Sequence, residues 1–290
     1  MSEPRQHFFE SQRLRLSYWE WGDPANPPLL LHHGGRDTAR SWDRIAAGFE
    51  DAYRVLALDL RGHGDSQPEV GGEYSIRQNV IDLLALAELA GPPVFLLGHS
   101  YGGRIGYLAA GAFPERFRAI VSIEGPLEPS HGDPKPFAPE LLRSIVESRT
   151  ALVGRRPRSY ADLEEAAGRM RENNPRLSPE HALDLASHAA QRVDGGYQWK
   201  FDNWARPGVR RDDVSAEEMK RFTAAISCPL LLIVGEDSGG RRRMQDQISL
   251  FPNGRSILVP DAAHWVHHDQ PRTVIREARA WFEEAAAAGG

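Results

Sequence analysis

The chain is poor in cysteine, because Cys228 is the single one among 290 residues. One cysteine cannot form an internal disulfide, which is typical of a protein from a reducing compartment. Cys228 precedes Pro229 and an apolar run, and no electropositive neighbour is visible in the sequence that would stabilise a thiolate. We therefore interpret it as a buried structural thiol rather than a catalytic one.

Long hydrophobic runs are also missing. No stretch approaches the about 18 apolar residues of a membrane span, and residues 1–10 lack the apolar core of a signal peptide. The formal net charge of −5 argues against nucleic acid or an anionic membrane as the main partner. With 41% hydrophobic and 26% charged residues the composition is globular, and we expect a cytoplasmic protein without a nucleic-acid or membrane partner.

Short apolar runs occupy the two ends of the chain and predict strands that are covered on both faces. They are Leu29–Leu31, Val55–Leu58, Val94–Leu97, Ala119–Ile123, Leu230–Val234 and Ile257–Val259. Apolar residues at helical spacing follow Ile76 and Ile105. This alternation predicts an α/β protein with a mainly parallel sheet and helices on both faces. Residues Leu14–Trp21 alternate in character and predict an antiparallel edge strand.

The alternation stops between residues 127 and 222. We interpret these residues as a mostly helical insertion over a core that residues 1–126 and 223–290 form. Helical stretches are predicted at Ala161–Arg171 and Pro179–Ala190. An aromatic patch over Tyr197–Trp204 has two interpretations that the sequence leaves open: it lines an apolar substrate pocket, or it forms the insertion's own core.

Residues 98–102 read Gly98-His99-Ser100-Tyr101-Gly102 and match the pattern G-x-S-x-G. They follow a predicted strand directly and precede a predicted helix, which is the context that gives the pattern its meaning. A sharp strand-to-helix turn exposes the serine, and small flanking residues allow the turn to close. The sequence therefore predicts Ser100 as a nucleophile.

A second glycine-containing loop, His32-His33-Gly34-Gly35, follows an earlier predicted strand. Acyl transfer needs two preorganised N–H donors for the developing oxyanion. We predict that the backbone N–H groups of Gly35 and Tyr101 supply them, and that His33 braces the loop.

The chain has 11 histidines, and position distinguishes one of them. His264 follows the last predicted strand and precedes the closing helix near Pro271, so its loop can place an imidazole beside Ser100. We predict His264 as the general base. His267 and His268 are predicted as loop or helix-start residues, and no metal site is expected because the histidine pairs lack a third ligand at recognisable spacing.

The joint order of these motifs resembles the α/β-hydrolase superfamily over nearly the whole chain. The resemblance rests on the His33–Gly35 loop, the Asp59–Gly64 turn, the Ser100 elbow, the His264 loop and Gln270-Pro271. It implies an eight-stranded, mostly parallel sheet, a helical cap formed by the insertion, and a purely structural Asp59–Gly64 turn. Asn174-Pro175 and Tyr197–Asp202 resemble a serine-hydrolase-like, esterase-type branch.

A third residue must orient the imidazole and stabilise its cation, and here the sequence departs from the family. The resemblance implies an Asp three residues after the glycine that ends the seventh strand, Gly235, but Ser238 stands there. Asp237 is one residue early. A second location known in the fold, just after the strand that follows the nucleophile helix, holds Glu124. We predict Glu124 as the acid and keep Asp237 as the alternative.

These residues together predict a serine hydrolase that cleaves a small, largely apolar carboxylic ester or lactone through an acyl-enzyme on Ser100, without a cofactor. A serine at the elbow argues against the dehalogenase and epoxide-hydrolase branches, which are understood to use Asp there. Two alternatives remain: cofactor-free carbon–carbon bond hydrolysis, and a ligand receptor without turnover, whose main support is Ser238. The sequence leaves the oligomeric state open, a homodimer being one expectation.

Overall fold

The computed structural model describes residues 3–127, 138–205 and 214–288. Within them, eight strands form one sheet in the order β1-β2-β4-β3-β5-β6-β9-β10. β1 pairs with β2 and β2 with β4 in antiparallel fashion, and all other pairs are parallel. The strands are β1 (Arg5–Ser11), β2 (Leu14–Trp21), β3 (Pro28–His32), β4 (Arg54–Leu58), β5 (Val94–His99), β6 (Phe117–Ile123), β9 (Leu230–Gly235) and β10 (Gly254–Val259). The predicted mostly parallel, eight-stranded sheet is confirmed.

Helices cover both faces of this sheet, and successive strand residues point into two separate hydrophobic cores. Leu30 belongs to one core, whereas Leu29 and Leu31 belong to the other. The core helices are α1 (Asp43–Ala46), α2 (Ile76–Ala90), α3 (Tyr101–Ala112), α7 (Ala216–Ala225), α8 (Arg241–Asp246), α9 (Val266–Asp269) and α10 (Pro271–Ala288). Burial on both faces explains why the central strands are continuous apolar runs instead of alternating ones.

The predicted position of Leu14–Trp21 at the edge of the sheet is wrong. The strand is antiparallel as expected, but β1 pairs along its whole length and takes the edge instead. β1 was not predicted because its sequence, RQHFFES, is largely polar and only two of its seven residues are buried. An edge strand that faces solvent carries little of the apolar pattern on which a prediction depends.

The inserted residues contain α4 (Pro139–Thr150), α5 (Leu163–Asn173), α6 (Pro179–Ala189) and a hairpin of β7 (Ala190–Val193) and β8 (Gly196–Trp199). Tyr160, Leu177 and Leu185 lie in a small core of their own beneath these elements. The hairpin was not predicted, because strands of four residues leave hardly any periodicity. No helix in the described parts of the chain is long and apolar enough to cross a membrane.

The predicted boundary at residue 222 lies inside α7. This helix packs against α3. A side chain in place of Gly111 would collide with the backbone of Phe222. The last residues of the expected cap therefore contact a helix of the expected core directly. The division into core and cap stays a prediction.

Candidate active site

Ser100 stands on the turn between β5 and α3 with φ of 51°, a left-handed conformation that non-glycine residues seldom adopt. Its backbone N–H donates to the carbonyl of Ile123 at 2.8 Å, which ties the turn to the neighbouring strand. A Cβ at Gly102 would collide with the carbonyl of His32. Gly102, two residues after Ser100, is thus needed so that the helix can start close to β3.

His264 lies in the loop after β10 and places its Nε2 3.1 Å from Ser100 Oγ. The hydroxyl can donate to this nitrogen, which is the geometry that a general base requires. A second histidine holds the loop: His99 Nε2 donates to the carbonyl of His264 at 2.9 Å. Burial, joined by the charge of His264, lowers the pKa of His99 far below its ordinary value, so His99 stays neutral. The His264 side chain is 41% exposed, so solvent reaches part of its ring.

Glu124 lies at the end of β6, which pairs with β5, the strand before Ser100. Its Oε2 is 3.4 Å from His264 Nδ1 and its Oε1 accepts the backbone N–H of Gly235 at 2.8 Å. The residue is 1% exposed and has φ of 53°, a second left-handed turn beside the first. The structure thus brings Ser100, His264 and Glu124 together in one line.

Ser238, which stands where the resemblance implies an acid, also contacts this carboxylate. Its hydroxyl donates to Glu124 Oε2 at 2.6 Å. The sequence showed Ser238 only as a departure and gave it no role. The signal that could have suggested this contact is a serine at the family's usual acid position combined with a glutamate after β6.

Asp237, the alternative acid, points elsewhere. Its carboxylate forms an ion pair with Arg176 Nη2 at 2.6 Å and is 51% exposed. Of these two carboxylates, Glu124 is therefore the one that contacts His264, and Asp237 pairs with Arg176.

The loop after β3 lies beside Ser100. A Cβ at Gly34 would lie 3.3 Å from Ser100 Cβ, so the backbone of this loop passes next to the serine. His33 accepts the N–H of Leu60 at Nε2, 3.0 Å away, and its Nδ1 donates to the Gly34 carbonyl at 2.6 Å. Gly35 follows directly and is exposed. α3 begins at Tyr101, and the first N–H groups of a helix lack intrahelical acceptors, so both expected oxyanion donors lie on the elements that flank Ser100.

The aromatic patch packs largely within the inserted residues. Trp199 Nε1 donates to Tyr160 Oη at 2.8 Å, and the two rings meet edge to face. Phe201 instead forms a bridge to His63 in the Asp59–Gly64 turn. These contacts correspond to the second interpretation of the patch, in which its residues hold the insertion together and attach it to the core.

A family model for the alpha/beta hydrolase family matches residues 29–278. The chain belongs to this family. Epoxide hydrolase 4 of Homo sapiens is 31% identical over 276 residues, 90% of this chain and 74% of the relative. The 3-hydroxybutyrate-oligomer hydrolase of Cupriavidus necator is 29% identical over 268 residues, 86% of this chain and 87% of the relative.

A further relative of this chain is the 2-(acetamidomethylene)succinate hydrolase of Mesorhizobium japonicum, which is 25% identical over 91% of this chain and 90% of the relative. A crystal structure of E-2-(acetamidomethylene)succinate hydrolase superposes with a TM-score of 0.78 at 21% identity, over 97% of this chain and 100% of the other. These relatives are named for hydrolysis of different bonds, so family membership alone does not define the bond cleaved here.

Proposed function

We propose that this α/β-hydrolase family member is a serine hydrolase that cleaves a carboxylic ester or lactone through an acyl-enzyme on Ser100. The observation that carries the proposal is the continuous contact from Ser100 Oγ to His264 Nε2 at 3.1 Å and from His264 Nδ1 to Glu124 Oε2 at 3.4 Å. Nucleophile, base and orienting carboxylate in this order are the parts that acyl transfer by serine needs.

Acylation begins when Ser100 Oγ attacks the carbonyl carbon and its proton passes to His264 Nε2. The charge on the carbonyl oxygen is stabilised by the N–H groups of Gly35 and Tyr101. The tetrahedral intermediate collapses, the C–O bond to the alcohol breaks, and His264 gives the proton to the departing oxygen. Glu124 orients the imidazole and stabilises the imidazolium.

Deacylation repeats these steps with water. His264 Nε2 takes a proton from a water molecule, whose oxygen attacks the acyl carbon, and Ser100 leaves with that proton. In a lactone the alcohol stays attached to the acyl chain, so the product is a single hydroxy acid.

The position of Ser238 favours turnover over the receptor alternative. That alternative depended on the missing acid at residue 238, but its hydroxyl supports a carboxylate that comes from β6 instead. A buried carboxylate with two other donors and an imidazole beside it is preorganised for catalysis. The 3-hydroxybutyrate-oligomer hydrolase among the relatives also fits ester chemistry, since oligomers of a hydroxy acid are esters.

The proposal is tested by hydrolysis of a short-chain p-nitrophenyl ester with the wild type and three variants. Ser100→Ala should abolish turnover, and Glu124→Gln should lower kcat by about 10³-fold or more, because a neutral amide cannot stabilise the imidazolium. Asp237→Asn is the matched control. It replaces a carboxylate oxygen with an amide nitrogen, as Glu124→Gln does, at the residue next to Ser238, and it should keep nearly full activity.

Burst kinetics supply the second readout. One equivalent of p-nitrophenol should be released rapidly if the acyl-enzyme accumulates, and mass spectrometry should then locate the acyl group on Ser100. Turnover that survives in Ser100→Ala would contradict the proposal. A folded wild type that cleaves a dienoate carbon–carbon substrate and no ester would replace it with the carbon–carbon alternative.

A further inference from the structure

Three side chains from distant parts of the chain meet beside the active site. Asp37, His267 and His268 each present one donor atom, and these atoms lie within 4.8 Å of one another. Asp37 follows the loop after β3, whereas both histidines lie in the short helix α9. We propose that these three residues form a binding site for a divalent transition-metal ion of the zinc type.

The donor set favours that class of ion. Two imidazoles and one carboxylate suit Zn²⁺, Co²⁺, Ni²⁺ or Fe²⁺, whereas Mg²⁺ and Ca²⁺ prefer oxygen ligands alone. Metal–ligand distances of about 2.0–2.2 Å place neighbouring donor atoms about 3–3.5 Å apart. Donor atoms within 4.8 Å of one another therefore need only a small inward movement to coordinate one ion.

His267 supplies an independent observation. The residue is 1% exposed, yet neither of its ring nitrogens has a hydrogen-bond partner in the described parts of the chain. Buried polar side chains are normally satisfied, so a pair of orphaned imidazole nitrogens in a cluster of donors points to a bound group. Coordination would satisfy one of them.

The surroundings hold the ligands in place. The His267 ring stacks on Trp42 with centroids 4.7 Å apart, and the His268 ring meets His181 edge to face at 5.2 Å. The carboxylate of Asp37 accepts the N–H of Thr38 at 2.9 Å. Ligands fixed by neighbours in this way lose little freedom when an ion binds.

The site is separate from the catalytic contacts but is linked to them. The His267 ring lies 4.4 Å from His99, and His99 Nε2 holds the carbonyl of His264. Drawing His267 toward an ion therefore moves the ring that supports the catalytic loop. The effect on catalysis rests on the function proposed above. Given that function, a bound metal ion lowers kcat by displacing His264 from Ser100 and leaves KM nearly unchanged.

The binding test uses Co²⁺, whose visible absorption reports coordination by nitrogen and oxygen, and then Zn²⁺ in competition. The chelator-treated wild type should bind one Co²⁺ per chain, and Zn²⁺ should displace it. Asp37→Ala and His268→Phe should each weaken the affinity at least about a hundredfold, since each removes a ligand. Cys228→Ser is the control, because it removes the one thiol that a transition metal could use instead, and it should bind as the wild type does.

Equal Co²⁺ affinity in the wild type, Asp37→Ala and His268→Phe would overturn the site, as would loss of binding in Cys228→Ser. Thermal unfolding of each metal-free variant shows whether it is folded, and His268→Gln, which keeps a polar side chain of similar reach, serves if His268→Phe is not. Ester hydrolysis with and without Zn²⁺ is a separate measurement. Binding without inhibition would overturn the link to His264 alone, and the absence of any esterase activity would count against the proposed function and not against the metal site.

Discussion

The carboxylate of Glu124 shows how single residues set the chemistry of this site. A buried carboxylate is costly unless donors compensate it, and Glu124 receives an N–H from Gly235, a hydroxyl from Ser238 and the imidazole of His264. The two donors other than the imidazole fix both oxygens, so the carboxylate cannot rotate away from His264. The carboxylate of Glu124 is thereby held in one direction that does not depend on substrate.

Ser238→Ala should lower kcat with little change in KM. The variant removes one hydrogen bond to a charged group, which is worth about 1.5–3 kcal/mol and corresponds to about 10- to 100-fold in rate if it acts in the transition state. Ser238→Thr keeps the hydroxyl and should restore most of the loss, which a merely structural role would not require. Steady-state ester kinetics of both variants provide the check, and an unchanged kcat in Ser238→Ala would remove this role from the residue.

His32 should make the protein acid-sensitive. It is fully buried at the end of β3, and burial, joined by the charge of His33, lowers its pKa from 6.5 to about 3. Its folded-state pKa is depressed, so its contribution to stability is complete above the unfolded value and is lost as the pH falls from 6.5 toward 3. At about pH 5 the loss is about 2 kcal/mol.

Urea unfolding of the wild type and His32→Gln at about pH 7.5 and about pH 5 measures this contribution. The comparison at the higher pH isolates the cost of the substitution itself. The drop in unfolding free energy on acidification should be about 2 kcal/mol smaller in His32→Gln. Equal drops in the two proteins would mean that His32 does not stay neutral in the folded state.

Among the structural elements, the first turn of α3 leaves no space for side chains at two of its glycine contacts. Gly102 faces the backbone carbonyl of His32, and a Cβ at Gly98 would lie 2.8 Å from the N of Gly103. β5, α3 and β3 therefore approach one another more closely than side chains permit. This proximity places Ser100 beside the loop that carries Gly35.

Gly102→Ala should destabilise the fold by about 1–3 kcal/mol or more, because the new methyl group meets backbone that cannot yield. Gly168→Ala is the matched control: it lies inside α5, a Cβ there meets nothing within 4 Å, and it should stabilise by about 0.5–1 kcal/mol. Denaturant midpoints of both variants test the contrast. If Gly102→Ala were more stable than the wild type, the turn at Ser100 would have space for a methyl group.

The sequence predicted the elements that leave a local pattern, and it did not predict the features that depend on contacts between distant residues. The strand before Ser100, the helix after it and the position of His264 were readable because each adjoins a continuous apolar run. Ser238 could not be placed, since its hydroxyl acts on Glu124, more than a hundred residues earlier. The proximity of Asp37 to His267 and His268 could not be predicted for the same reason. β1 was not predicted because one of its faces is exposed to solvent.

At the scale of the whole molecule, Arg104 contacts the chain before and after the residues predicted as the cap. This buried arginine of α3 donates to the carbonyl of Leu127 and, at 3.1 Å, to that of Val214. One guanidinium thus holds the chain where it leaves the sheet layer and where it returns to it. The planar fork of Arg suits such a double contact better than an ammonium group would.

Arg104→Met should lower the unfolding free energy by about 3 kcal/mol or more, because two carbonyls lose a charged donor. Arg104→Lys keeps the charge but reaches one carbonyl at most, so an intermediate loss is expected. Urea unfolding ranks the three proteins, and limited proteolysis should cut the Arg104→Met chain faster between residues 127 and 214. If Arg104→Met and the wild type unfold at the same denaturant concentration, the two contacts do not tie the insertion to the core.

The location of the carboxylate on β6 has a practical consequence for engineering. Ser100 and Glu124, the proposed nucleophile and acid, both come from the first 124 residues and follow adjacent strands that a bond from Ser100 N–H to the Ile123 carbonyl aligns. The loop that follows β9, from Glu236 to Gly240, therefore supplies a hydroxyl to this carboxylate through Ser238 instead of the carboxylate itself, and its Asp237 N–H donates to the Ala262 carbonyl. Libraries that vary its length or graft a recognition peptide after Ser238 should yield many active clones, a freedom that an enzyme with its acid in that loop does not have.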